Sequence, residues 1–172
     1  MKKFILIFIF LLLNADKIYF LPFDGYKAQK ELSYIFSHAH KEIKIAIYTF
    51  TNKTLAKALK KAAIHTKIYI VADKKEAKYS RSVIPNLAAI RNFNVYLLSG
   101  KPYKDGEKAK MHVKMSIVDN KYLIIGSANY SYSAFFKNYE YILITKDKEL
   151  IHKFNYFFYK LKSLAKPYRL SR

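Results

Sequence analysis

Five histidines occur in this chain of 172 residues, at positions 38, 40, 65, 112 and 152, and one of them stands among other reactive groups. His112 opens the stretch His112-Val-Lys114-Met-Ser-Ile-Val-Asp119. On an extended strand, residues two apart face the same side, so His112 and Lys114 project together. The strand turns at Asp119-Asn120, and the apolar run Tyr122–Ile125 returns to end in Gly126-Ser127-Ala-Asn129. A hairpin of this kind gathers an imidazole, an ammonium, a hydroxyl and a carboxamide at one end, a cradle suited to phosphate oxygens. A glycine at position 126 would let the backbone approach a ligand closely. The other histidines lack such company. His38 and His40 lie two apart on a predicted helix and diverge, His65 closes a helix where a cation suits the dipole, and His152 lies in the last helix.

The spacing His-x-Lys-x4-Asp, then six residues, then Gly-Ser-x-Asn, resembles the signature of the phospholipase D superfamily. Asn138-Tyr-Glu140 is similar to the Asn-x-Glu that follows it in the small, single-motif bacterial nuclease branch, and Ile45-Ala-Ile-Tyr-Thr-Phe-Thr resembles an earlier family segment. Six fixed residue types, each near 5% usage, coincide at a given start about once in 10⁸. The resemblance implies that His112, Lys114, Asp119 and Glu140 form the catalytic set. His112 would attack phosphorus and form a covalent phosphohistidine that water resolves. Neutral imidazole is nucleophilic near pH 7 and serves as an acid once protonated. Glu140 would accept a hydrogen bond from the other ring nitrogen. Lys114 and Asn129 would hold the non-bridging oxygens, and Ser127 would support the same oxygens or orient His112. Asp119 is expected to brace the hairpin, because a carboxylate beside the substrate would repel it.

One motif supplies one nucleophile, yet the leaving oxygen also needs a proton. Relatives with two motifs use the second histidine, so the resemblance implies a homodimer with two His112 side chains facing across a two-fold axis. No metal or cofactor is implied, since ammonium groups take the place of one and no carboxylate cluster suits Mg²⁺.

These residues need a scaffold. Strands are predicted at Lys17–Phe23, Glu42–Phe50, Lys67–Ala72, Asn94–Leu98, Met111–Val118, Tyr122–Ile125 and Tyr139–Thr145. Helices are predicted at Tyr26–Lys41, Lys53–His65 with Asn52 as cap, Ser80–Phe93, and Asp147–Leu164. Strands alternating with helices indicate one α/β domain over residues 16–172, a mixed sheet flanked by helices on both faces in the phospholipase D/nuclease-like sandwich. Cysteine is absent, which excludes disulfides and thiolate chemistry.

Thirty-two Lys and Arg against twelve Asp and Glu give a net charge of +20, which draws polyanions and makes nucleic acid, DNA or RNA, the expected partner. The loop lysines Lys101, Lys104, Lys108 and Lys110 would funnel a sugar-phosphate backbone. The aromatics Tyr130, Tyr132, Phe135, Phe136 and Tyr139 offer faces for unpaired bases, with core packing as their alternative role. Lys2 and Lys3 before the apolar run Phe4–Leu13 read as a signal peptide or membrane anchor over residues 1–15, hence export. Two other readings stay open: a phosphodiesterase acting on anionic lipids at a membrane, and a non-catalytic DNA-binding protein of DNA uptake.

Overall fold

A computed structural model of the chain describes residues 16–107 and 109–168. The expected leader, residues 1–15, and Lys108 lie outside the described residues. The centre is an eight-stranded sheet in the order β1 (Lys17–Leu21), β7 (Glu140–Thr145), β6 (Tyr122–Gly126), β5 (Lys114–Val118), β2 (Glu42–Ile47), β3 (Lys67–Asp73), β4 (Phe93–Leu98) and β8 (Lys166–Pro167). Strands β2, β3 and β4 run parallel because helices cross between them, and every other pair is antiparallel. The mixed α/β sandwich expected from the sequence is the fold observed.

Period-two alternation sorts the side chains into two layers. Ile43, Ile45, Ile47, Ile68, Ile70 and Ala72 join one core with residues of α1 (Gly25–Ser37), α2 (Lys53–Ala62), α3 (Ile84–Ala88) and α4 (Tyr132–Phe136). Their neighbours Ala46 and Val71, with Met115, Ile117 and Leu123, meet Ile151 and Phe158 of α5 (Lys148–Leu164) on the other face. Asn52, Ser131 and Asp147 cap α2, α4 and α5 by accepting from the backbone N–H of Leu55, Ala134 and Leu150. Helix α5 packs mainly on β2, β4, β5 and β6, and among the described residues the same face of β1 and β7 is left largely uncovered. There Ile18, Phe20 and Tyr141 stand 52%, 55% and 48% exposed.

The β5–β6 turn is of the hairpin kind expected. Asp119 and Asn120 both take positive φ, 55° and 51°, and the Lys121 N–H donates to the Val118 carbonyl at 2.9 Å. A buried lysine, Lys44, ties this turn to α5. Its ammonium meets Glu42 at 2.7 Å, Asn155 Oδ1 at 2.6 Å and Asn120 Oδ1 at 3.2 Å.

Several boundaries differ from expectation. The helix expected over Ser80–Phe93 is only five residues long, with Pro85 in its first turn, and Phe93 opens β4. Helix α1 ends at Ser37, so His40 is not helical. Strand β5 begins at Lys114, leaving His112 just ahead of the ladder. The short α4 and β8 were not anticipated.

Candidate active site

The hairpin β5–β6 and its neighbours deliver the reactive groups to one end of the sheet. His112 and Lys114 enter at the start of β5, Ser127 and Asn129 follow the end of β6, and Glu140 begins β7. Tyr48 and Thr49 leave β2 at the same end, and Asp73 closes β3 there. His112, Tyr48, Asp73, Glu76 and Lys110 are among the residues lining a pocket of about 710 Å³.

Local bonding settles which atoms remain available. The Lys114 ammonium donates to His112 Nδ1 at 2.8 Å and to the His112 carbonyl at 2.9 Å. Glu140, expected to hold that ring nitrogen, instead acts on both groups through its charge. Partial burial, then the Lys114 and Lys110 ammonium charges, lower the His112 pKa below its ordinary value, while Asp73 and Glu140 oppose the shift. Burial and Lys110 likewise lower the Lys114 pKa, against Glu140. Asn129 Oδ1 accepts from the Thr49 N–H at 3.3 Å, which leaves its amide nitrogen as the group to donate. Ser127 Oγ accepts from the Tyr141 N–H at 3.2 Å and keeps its own proton for another acceptor.

Three sequence expectations need correction. Asp119 lies at the far end of β5, five residues beyond Lys114 and so about 16 Å away along the strand, which removes it from the catalytic set. Its carboxylate accepts from the backbone N–H groups of His40, Lys41 and Glu42 at 2.9, 2.8 and 3.1 Å, the bracing role foreseen for it. Tyr130 does not face nucleic acid: it is 2% exposed, and its hydroxyl pairs with Ser116 Oγ at 2.6 Å. Phe135 is buried as well, in the core-packing role weighed for it from the sequence. Gly126 serves strand packing, since a Cβ there would collide with the Tyr141 carbonyl oxygen.

Tyr132 and Tyr139 are exposed, and the fold adds Phe23 and Tyr26 to their neighbourhood. Phe23 lies 6.1 Å from Tyr139, and both Tyr26 and Tyr132 pack on Phe136. Lys101 and Lys104 are exposed on their loop, and Lys110 turns into the pocket. Sequence reasoning missed Tyr48, Thr49, Asp73 and Glu76. Thr49 Oγ1 donates to Glu76 Oε2 at 2.8 Å, and Asp73 Oδ2 accepts from the Met111 N–H at 2.9 Å, which anchors the chain just before His112. Tyr48 and Thr49 do fall inside the Ile45–Thr51 segment noted in the sequence, which was the available signal. Among the described residues, no group of three or more His, Asp or Glu side chains is gathered to hold a metal ion.

Tyr130→Phe discriminates core from contact surface. The change leaves Ser116 Oγ buried without a partner, for an expected loss of about 1–3 kcal/mol in urea unfolding. Nucleic-acid affinity should stay at the wild-type value.

Residues 32–162 match the family described as "Cardiolipin synthase, PLD-like domain". The chain is 25% identical over 132 residues to the mitochondrial cardiolipin hydrolase of Danio rerio, covering 77% of this chain and 56% of that protein. Thus it spans little more than half the length of that curated relative. Among solved structures it is similar to NucT from Helicobacter pylori, with a TM-score of 0.86 and 32% identity over 90% of this chain and 99% of that one. It also shares the fold of the phospholipase D family member Nuc from Salmonella typhimurium, with a TM-score of 0.73 and 22% identity, covering 91% of this chain and 99% of that one.

Proposed function

The chain belongs to the phospholipase D superfamily, and on that premise we propose that it is an exported, sequence-non-specific nuclease that hydrolyses DNA without a metal. The observation that carries this reading is the convergence of His112, Lys114, Ser127, Asn129 and Glu140 at one sheet end in a chain of net charge +20. The likeness to NucT over almost the whole of that chain supports the choice of nucleic acid.

In the structure the Lys114 ammonium donates to Nδ1, so the proton of a neutral His112 sits on Nε2. Attack needs the opposite tautomer. A phosphate draws Lys114 onto its non-bridging oxygens, Nε2 gives its proton to water while Nδ1 takes one from water, and the Nδ1–H donates to Glu140. Nε2 attacks phosphorus, the bond to the leaving sugar oxygen breaks, and that oxygen takes a proton from the partner's His112. Water, deprotonated by the same partner imidazole, then attacks the phosphohistidine and releases His112. Lys114, Asn129 and Ser127 stabilise the charge gathering on phosphorus oxygens. The ammonium groups supply charge that a metal supplies in other phosphodiesterases.

Among the described residues Ile18, Phe20 and Tyr141 leave an apolar patch exposed on β1 and β7, which supports a homodimer because a patch of this kind favours association. The exposed rings of Phe23, Tyr26, Tyr132 and Tyr139 favour single strands, whose unpaired bases can stack on them. RNA is a second substrate on the same chemistry.

The deciding experiment incubates the protein with circular single-stranded and supercoiled double-stranded DNA in excess EDTA. Cutting of the single-stranded circle is expected, and faster than of the duplex. If neither circle is cut by folded protein, the DNA-nuclease reading fails. Trials on RNA and then on cardiolipin vesicles would follow, the latter because of the likeness to a cardiolipin hydrolase. Binding of DNA with no cutting of any diester would leave the binding-protein reading.

The lowered His112 pKa predicts a pH profile. Attack requires neutral imidazole, and a depressed pKa postpones protonation to lower pH. The acid limb of kcat/KM should therefore fall below pH 6.5, the ordinary histidine value. A limb above that value would contradict the assignment. For export, the predicted outcome is recovery of the protein outside the cytoplasm, which cell fractionation reads directly.

A further inference from the structure

Tyr48 follows the last residue of β2 and stands outside the signature that singles out His112. Its N–H donates to the Val113 carbonyl at 3.0 Å, which pins the segment carrying His112 and Lys114 against β2. Its ring centre lies 4.6 Å from that of the His112 imidazole, with the planes 55° apart. The Lys114 and Lys110 ammonium groups stand 5.4 and 5.6 Å from the same ring centre. Two cations beside the nucleophile, and the nucleophile itself, therefore share one aromatic ring.

Two ammonium groups at this spot repel one another. Glu140 offsets part of that repulsion through its charge on Lys114, but each further carboxylate would also repel an incoming phosphate. An aromatic face attracts cations through its quadrupole while carrying no net charge, so it holds them without that penalty. The ring also shields one side of the imidazole from water.

We propose that Tyr48 is a positioning residue of this site, whose π face holds Lys110 and Lys114 beside His112 until phosphate oxygens take them over. The proposal rests on the reading of His112 as nucleophile. It makes Lys110 a second phosphate-side cation, delivered by the same ring. The charges facing His112 are Lys114 and Lys110, which disfavour its protonated form, and Asp73 and Glu140, which favour it.

The test compares Tyr48→Phe, Tyr48→Leu and a series of progressively fluorinated phenylalanines at position 48 in the full chain. Fluorination drains the ring face of negative charge at nearly constant size, so it separates the π face from mere packing. Tyr48→Phe should stay within about twofold of wild type, and Tyr48→Leu should lose about tenfold in kcat/KM. The fluorinated series should fall stepwise between them. In NMR titration the His112 midpoint should move up in Tyr48→Leu, as the lysines drift away and water enters. A flat fluorination series overturns the proposal, as does a Tyr48→Phe loss as deep as that of Tyr48→Leu. If wild type cuts no phosphodiester at all, the nuclease reading fails separately. The His112 titration still decides then, because an unmoved midpoint in Tyr48→Leu overturns the role of Tyr48 and an upward move sustains it.

Discussion

Replacing His112 with Asn is expected to lower DNA cleavage in EDTA by about 10⁴-fold or more while leaving the melting temperature unchanged. The two halves of this expectation have separate causes. Activity falls because asparagine offers neither a nucleophilic nitrogen nor a proton donor of suitable pKa, and in a two-fold site both roles vanish together. Stability holds because His112 is exposed and precedes the β5 ladder, and its ring contacts Tyr48 rather than the core. Wild type quenched in alkaline denaturant, which preserves the acid-labile phosphorus–nitrogen bond, should carry a DNA fragment on His112, detectable as an added mass that His112→Asn lacks. Residual cutting by the variant within about tenfold of wild type would be far too fast for loss of a covalent catalyst, and the nucleophile would have to be sought elsewhere.

Asp119→Ala should show the reverse pattern. The carboxylate binds three successive backbone N–H groups, at His40, Lys41 and Glu42, from a residue whose φ is 55°. Alanine leaves those donors to water and resists the left-handed conformation, so a loss of about 2 kcal/mol in chemical unfolding is expected. Per folded molecule, kcat should stay within roughly threefold, far from the ~10²–10³ that follows removal of a donor to the transition state. Activity measured well below the unfolding midpoint separates the two effects. A hundredfold drop in kcat with unchanged stability would return Asp119 to the reacting centre.

The contrast between these residues shows how far the linear chain carries. His112, Lys114, Ser127 and Asn129 belong to one hairpin, where alternation of side chains and the turn at Asp119-Asn120 act over a few residues. Their meeting at one end is therefore legible without the rest of the molecule. The alternation in β2 and β3, and the helical spacing of α5, are local in the same sense, and they carry the mixed sandwich with them.

Burial and long-range pairing are not local. Tyr130 and Tyr132 are both aromatic residues just after the hairpin, yet one packs under Phe36 and Phe50 while the other stands 64% exposed. Only the docking of α1 and α4 on that face separates them. The place of Asp119 at the far end of β5 follows from strand length, but its partners at 40, 41 and 42 follow from β2 pairing with β5. The same pairing, with β3 beside it, brings Tyr48 and Asp73 to His112 across long stretches of chain. By itself the sequence determined which groups are the candidates for the chemistry and that a hairpin presents most of them, because strand periodicity and turn chemistry act between near neighbours. Tertiary structure alone decided which ring lies beside His112, which tyrosine is core and which carboxylate is a brace, because those depend on strand order and on which face each helix covers.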